Sequence, residues 1–175
     1  MKTMPAILLV DDDEDHLVVA RRAIERAGLL AEVRLASAGD EALRLLGLHA
    51  DSSEPAASFA VVLLDIGLPG LSGWEVLKRI RASERTRRTP VVMVSSSNRP
   101  EDVRRSYELG ANSYLVKRLD RRRPGDYLAE AARYWVVLNE SLGGPSRQGT
   151  RPASGGAGPK ATSGRRRAGE GSVQD

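Results

Sequence analysis

Short apolar runs alternate with amphipathic segments along the first 142 residues. The apolar runs are rich in Val, Leu and Ile, as strands are when both faces of their sheet are covered. They predict five strands, at residues 6–10, 33–36, 59–65, 91–94 and 113–116. Between and after them, apolar residues recur at helical spacing and predict five helices, at residues 14–27, 40–46, 72–82, 100–109 and 126–142.

Each strand is followed by a helix, so the strands are expected to run parallel and to be joined by right-handed crossovers. This alternation predicts an α/β fold: a flavodoxin-like, doubly wound sheet of five parallel strands in the order 2-1-3-4-5, with five helices. Local signals agree with the helix ends. Ser72 and Glu75 have the spacing of a capping box, and Pro100 suits the first turn of a helix.

The composition changes after residue 142. Gly, Ser, Pro and Arg dominate, and only scattered Ala and one Val are apolar, so this part cannot form a core. We therefore expect two parts, a folded domain at residues 1–142 and a disordered Gly/Ser/Pro/Arg-rich tail at residues 143–175.

The net charge of +4 belongs to this tail, which carries six basic and two acidic residues and leaves 21 of each sign in the folded part. The folded part is thus neutral overall, and no specific nucleic-acid partner is expected. The chain has no cysteine, which excludes disulfides and thiolate chemistry. Its beginning has only a five-residue apolar run before three acids, so neither a signal peptide nor a membrane partner is expected, and the predicted location is cytoplasmic.

Polar residues stand at the ends of the strands that this order places side by side. Asp11 and Asp12 follow the first strand, Asp65 ends the third, Ser95 follows the fourth and Lys117 follows the fifth. Two carboxylates 5 Å apart repel by about 3 kcal/mol at an effective dielectric constant of 20. The acids could remain together by holding protons or by sharing a cation, and an all-oxygen ligand set suits Mg²⁺.

A carboxylate, a metal, a lysine and a hydroxyl are the groups needed to accept a phosphoryl group. Asp65 would attack in line, while the metal, Lys117 and Ser95 would bind the phosphoryl oxygens. No general base is required, because a carboxylate is already ionised at neutral pH. We accordingly expect no catalytic role for His16, at a helix start, or for His49, in a loop.

Four motifs, LLVDDDEDH, LLDIGLPGLSG, VVMVSSS and GANSYLVK, resemble those of response-regulator receiver domains of two-component signalling. The resemblance covers about residues 5–142. It implies a phosphoprotein carrying 4-aspartylphosphate at Asp65, a phosphorelay role and no turnover as an enzyme. It also implies that Asp12 binds Mg²⁺ directly, that Asp11 acts through water and that the Gly67 carbonyl completes the protein ligands.

The same resemblance implies that Ser95 is the switch hydroxyl, that Tyr114 is the aromatic rotor and that Lys117 senses the phosphate. Two features depart from the family. Arg118 stands where a proline is usual, so a trans peptide is expected there. The loop at residues 49–58 is also longer than usual and is expected to be a surface insertion.

The segments SSSNRPEDVRRSYELGANSYLVK and YWVVLNE are similar to the stand-alone regulators paired with phytochrome-type and related hybrid histidine kinases. This similarity implies a sensor histidine kinase as partner. The surface of Tyr134, Trp135 and Val136 could support a homodimer.

Two alternatives remain. Asp11-Asp12-Asp13 has the D-x-D form of Mg²⁺-dependent haloacid dehalogenase-like phosphohydrolases, but Asp15 stands where that family expects Thr or Val, and no cap segment is present. The other alternative is a scaffold that does not signal and whose tail is the active part; the complete set of acids, serine and lysine argues against it.

Overall fold

The computed structural model describes residues 4–49, 58–117 and 123–140. Strands and helices alternate along these residues. The strands are β1 (Ala6–Val10), β2 (Glu32–Ala36), β3 (Phe59–Asp65), β4 (Val91–Ser95) and β5 (Ser113–Val116). The α-helices are α1 (Glu14–Arg26), α2 (Gly39–Leu45), α3 (Gly73–Ala82), α4 (Pro100–Glu108) and α5 (Asp126–Arg133), and a π-helical turn at Tyr134–Leu138 follows α5.

The strands form one parallel sheet in the order β2-β1-β3-β4-β5, which confirms the predicted α/β fold and strand order. The chain leaves β1 towards β2 on one side and returns to β3 on the other side. The carboxyl ends of β1 and β3 therefore meet where the winding direction reverses, which is where open α/β sheets bind their ligands.

Alternate residues of the central strands enter two separate cores, because successive side chains of a strand point to opposite faces. In β3, Val62 and Leu64 pack with α2 and α3, whereas Val61 and Leu63 pack with α1 and α5. All five residues of β1 and of β4 are buried, as expected for strands covered on both faces. The site edge is thus built on central strands that are packed on both faces.

The helix starts follow the local signals in the sequence. Ser72 and Glu75 make both hydrogen bonds of the predicted capping box at α3, and Pro100 lies in the first turn of α4. The N-cap of α1 is Asp13, whose side chain accepts a hydrogen bond from the backbone of His16. This cap leaves Asp11 and Asp12 outside the helix, at the end of β1.

The prediction for the last helix was wrong in its second half. The α-helix ends at Arg133, and the chain continues as a π-helical turn that closes with a hydrogen bond from the Asn139 N–H to the Tyr134 carbonyl. Asn139 itself is extended, so the helix ends at Leu138. Leu138, an apolar residue of the predicted helix, is 65% exposed, because the wider turn rotates it off the helical repeat.

Several expectations lie outside the described residues: the tail at residues 143–175, most of the long loop at residues 50–57, and the peptide at Arg118. The domain boundary after residue 142 stays a prediction for the same reason. Among the helices that the structure describes, none is both long and apolar enough to traverse a bilayer.

Candidate functional site

The residues singled out at the strand ends lie together at the carboxyl edge of the sheet. Asp65 is the last residue of β3 and Ser95 the last of β4, while Asp11 and Lys117 directly follow β1 and β5. Side-chain contacts join Lys117 to both Asp11 and Asp65. The sheet order therefore converts residues separated by more than 100 positions in the sequence into neighbours.

Three carboxylates form a cluster at this edge. Asp11, Asp12 and Asp65 each offer an oxygen, and these oxygens all lie within 4.8 Å of one another. Asp11 and Asp65 are 4% and 6% exposed, whereas Asp12 is exposed. Two acids are thus buried within the fold, and the third is accessible to solvent.

The Lys117 ammonium bridges the two buried acids. Its Nζ lies 2.6 Å from Asp65 Oδ2 and 2.8 Å from Asp11 Oδ2. Burial works against the charged ammonium, but the hydrogen bonds to Asp11 and Asp65 outweigh it and raise the pKa of Lys117. The lysine therefore stays cationic and offsets the repulsion that the sequence implies.

The pKa of the Asp11 carboxyl is shifted in the opposite direction. Burial alone would raise it, but hydrogen bonds from His16, Lys117 and the Asp13 backbone lower it below its usual value. Asp11 is consequently an ionised carboxylate, which is the form that can bind a cation or its water.

Two glycines define the surroundings of Asp65. The Gly67 N–H donates to Asp65 Oδ1 at 3.1 Å, so Gly67 lies beside the acceptor as expected. A Cβ atom on Gly73 would lie 2.0 Å from the Asp65 carbonyl oxygen, so only glycine lets α3 begin so close to the end of β3. The assignment of the Gly67 carbonyl as a metal ligand stays a prediction.

The predicted switch residues, Ser95 and Tyr114, meet at Ser97. The Ser97 N–H donates to Ser95 Oγ at 3.1 Å, and the Tyr114 hydroxyl donates to the Ser97 carbonyl at 2.9 Å. Ser97 Oγ in turn donates to Asp102 of α4 at 2.6 Å. The sequence does not single out Ser97, because nothing in its local pattern distinguishes it from Ser96.

Trp74 extends these contacts from α4 to α3. Its indole Nε1 donates to Ser106 Oγ at 3.0 Å, and the Arg105 guanidinium lies 4.1 Å from the centre of its ring. Ser106 also donates to the Asp102 carbonyl. Trp74 and Trp135 both pack against the cores, but Trp74 also makes these polar contacts.

Sequence reasoning missed His16. Its ring Nδ1 lies 2.5 Å from Asp11 Oδ2, and its Nε2 lies 3.0 Å from the hydroxyl of Tyr127 in α5. A signal was available, because a residue three positions after the N-cap Asp13 lies in the first helical turn, beside the end of β1. The partner Tyr127 could not be found in this way, since it is 111 residues away.

The donor set fits the predicted Mg²⁺. All three clustered side chains are carboxylates, the ligands that hard divalent cations prefer, and their spacing allows one ion to be shared. The exposure of Asp12 leaves that side open for waters or phosphoryl oxygens.

Comparison with known proteins agrees with this geometry. The sequence matches the response regulator receiver domain family over residues 7–127. It is 38% identical over 137 residues to the probable methanogenesis regulatory protein FilR2 of Methanothrix harundinacea (strain 6Ac), covering 78% of this chain and 87% of that protein.

Solved structures of response regulators are also similar. The phosphorylated cyanobacterial phytochrome response regulator RcpA matches with a TM-score of 0.71 and 26% identity, over 79% of this chain and 98% of that one. The Mn²⁺-bound form of response regulator Rcp1 matches with a TM-score of 0.69 and 26% identity, over 78% and 97% of the two chains.

The sheet order and the acid–lysine–serine set define a receiver-type α/β domain with an acidic cluster at the carboxyl edge of its sheet. The chain belongs to the response regulator receiver domain family. These comparisons give no support to the haloacid dehalogenase-like alternative.

Proposed function

We propose that this protein accepts a phosphoryl group from a sensor histidine kinase onto Asp65. The observation that carries the proposal is the contact of Lys117 with Asp65, 2.6 Å long, beside two further acids at the switch point of the sheet. This arrangement supplies an ionised nucleophile, a lysine cation and a cation site within one small volume.

In the proposed reaction an Asp65 oxygen forms a bond to phosphorus. The bond from phosphorus to the kinase imidazole nitrogen breaks, and its electron pair returns to that nitrogen. Lys117 exchanges its contact with Asp65 for a phosphoryl oxygen, and the Ser95 hydroxyl donates to another. Asp12, Asp65, the Gly67 carbonyl and, through water, Asp11 would hold Mg²⁺, which would supply positive charge to the phosphoryl oxygens. Because the protein itself receives the phosphoryl group in this reaction, it acts as a phosphoacceptor and not as a turnover enzyme.

The phosphorylated state is proposed to be read on the α4–β5 side of the molecule. Recruitment of Ser95 Oγ by the phosphoryl group competes with its hydrogen bond to the Ser97 backbone. Tyr114 and Asp102 both contact Ser97, so a shift of this loop reaches β5 and α4. The protein then either presents a changed interaction surface or relays the phosphoryl group onward.

The likeness to RcpA supports a phytochrome-type or hybrid histidine kinase as the partner. A homodimer through Tyr134, Trp135 and Val136 is supported by the exposure of Tyr134, which is 50% exposed. A cytoplasmic location completes this proposal.

The proposal is tested by phosphorylation of full-length protein with acetyl phosphate or a cognate kinase, followed by intact mass and phosphate-affinity electrophoresis. Wild type is expected to gain one phosphoryl group with Mg²⁺ and none with excess EDTA. Asp65→Asn is expected to gain none, whereas Asp40→Asn, an exposed acid in the first turn of α2, is expected to react like wild type. A phosphorylated Asp65→Asn protein would refute the assignment.

A further inference from the structure

Asp11 is held from three directions. Its Oδ1 accepts the Asp13 N–H at 3.1 Å. Its Oδ2 has two side-chain partners, Lys117 Nζ at 2.8 Å and His16 Nδ1 at 2.5 Å. In the reaction proposed above Lys117 moves to the phosphoryl group, and His16 is then the side chain that still contacts Oδ2.

The direction of the hydrogen bonds through His16 follows from its two neighbours. An ionised carboxylate only accepts, so His16 Nδ1 is the donor to Asp11. In the neutral ring Nε2 then accepts, and the Tyr127 hydroxyl is placed to donate to it at 3.0 Å. Burial raises the pKa of Tyr127 to about 12, which keeps this hydroxyl protonated. Every polar atom of the Tyr127–His16–Asp11 chain is thereby paired.

Both ends of this chain are anchored. His16 lies in the first turn of α1, capped by Asp13, and Tyr127 lies in the first turn of α5. The Tyr127 and His16 rings are nearly parallel, at 21°, with their centres 6.4 Å apart. The ring of His16 therefore cannot turn without breaking a contact at each end.

We propose that His16 is a positioning residue for the cation site, with Tyr127 fixing its ring, so that Asp11 presents its carboxylate to the water ligand of the metal. The inference rests on the divalent-cation site of the proposed function. Side chains that hold a metal-binding group from behind typically contribute 10–100-fold to metal affinity. Asp11 acts on the metal through water, so we expect an effect at the lower end of that range.

The test is a Mn²⁺ titration of the full chain in which electron paramagnetic resonance reports free Mn²⁺. The His16→Leu variant is expected to bind Mn²⁺ about tenfold more weakly than wild type. His16→Asn, which keeps an N–H donor near the position of Nδ1, should recover most of the affinity, and Tyr127→Phe should lose about threefold. His49→Leu removes the other histidine of the chain and should bind like wild type.

A second measurement uses protein labelled with ¹⁵N-histidine and stripped of metal. The His16 ring is expected to carry its proton on Nδ1, and Tyr127→Phe is expected to shift the Nε2 resonance. These resonances report the hydrogen bonds themselves, so they distinguish a positioning role of His16 from a general loss of stability. Unfolding curves of each variant measure any such loss.

Wild-type affinity in His16→Leu, or equal weakening in His16→Leu and His16→Asn, would overturn the inference, as would a ring proton on Nε2. If Asp12→Asn still weakens Mn²⁺ binding in that case, the cation site stands and only the role of His16 falls. If wild type itself fails to bind Mn²⁺, the cation site of the proposed function falls together with the inference.

Discussion

At the residue scale, the site is governed by charge compensation among Asp11, Asp65 and Lys117. The sequence shows only that three acids would repel one another at a strand edge. The structure shows the compensation, a lysine ammonium within 2.8 Å of both buried acids and an imidazole on one of them. Because these contacts exist only in the folded protein, the pKa of Asp11 differs between the folded and the unfolded state.

The lowered pKa of Asp11 predicts a specific pH dependence of stability. Because its folded pKa lies below the ordinary value of 3.8, Asp11 stabilises the fold above that value, and this contribution is lost as the pH falls through the lower folded pKa. Urea unfolding of wild type and Asp11→Asn between about pH 5 and pH 2 measures this contribution. The unfolding free energy of wild type, minus that of Asp11→Asn, should decrease as the pH falls. Parallel pH profiles of the two proteins would contradict this.

At the element scale, close contacts between helices and strands determine which residues are tolerated at the strand ends. From its sequence, the loop after β3 is a turn in which any of the glycines could be replaced without a steric clash. In the structure Gly73 is different from the others, because α3 begins against the Asp65 backbone.

We expect Gly73→Ala to destabilise the protein by about 3 kcal/mol, because the added methyl overlaps the Asp65 carbonyl. Phosphorylation should fall as well, since Asp65 must move. Gly70→Ala is the control: Gly70 has a φ of +72° but open space around it, so it should cost about 1 kcal/mol and leave phosphorylation intact. Chemical unfolding and phosphate-affinity electrophoresis measure both effects, and equal costs would contradict the close contact.

Arg81 joins α3 to the segments before β4 and β5. Its guanidinium donates to the carbonyls of Gly110, Arg87 and Thr89 and to the Asn112 side chain. Nothing in the periodicity of α3 distinguishes Arg81 from Arg79, because both are charged residues in the last helical turn.

Arg81→Ala should therefore lower the unfolding free energy by about 3 kcal/mol, since several carbonyls lose a charged donor together. The exposed Arg79→Ala should change it by no more than about 0.5 kcal/mol. Urea denaturation of the two variants tests the contrast, and similar values for both would refute it.

At the scale of the whole molecule, the domain boundary after residue 142 remains a prediction from composition. Among the residues that the structure describes, the packed cores use residues up to Val136. From its composition, the tail is predicted to be an accessory to the receiver domain.

Removal of residues 143–175 is accordingly expected to change the unfolding free energy by less than about 0.5 kcal/mol. The rate of phosphorylation should also be unchanged, because no site residue belongs to the tail. Side-by-side kinetics with acetyl phosphate and urea unfolding of the full chain and the truncated chain measure this. Loss of phosphorylation in the truncated protein would instead favour the tail as an active part.

The sequence by itself determined the order of the elements and the edge of the sheet at which the candidate site residues lie. Periods of buried strand and amphipathic helix are local properties, and a parallel sheet necessarily gathers Asp11, Asp65, Ser95 and Lys117 at its carboxyl edge. The last helix shows the limit of this reasoning, because its apolar repeat continues where the backbone widens into a π-helical turn.

Tertiary structure alone decided which side chains complete the site. His16 and Tyr127 meet across 111 residues, and Ser97 joins Ser95 to Tyr114 through backbone atoms that have no sequence signature. Such contacts depend on how α1, α5 and the loop after β4 pack on the sheet. A repeat in the sequence determines which face of a helix is buried, but not which side chain of another helix it will meet there.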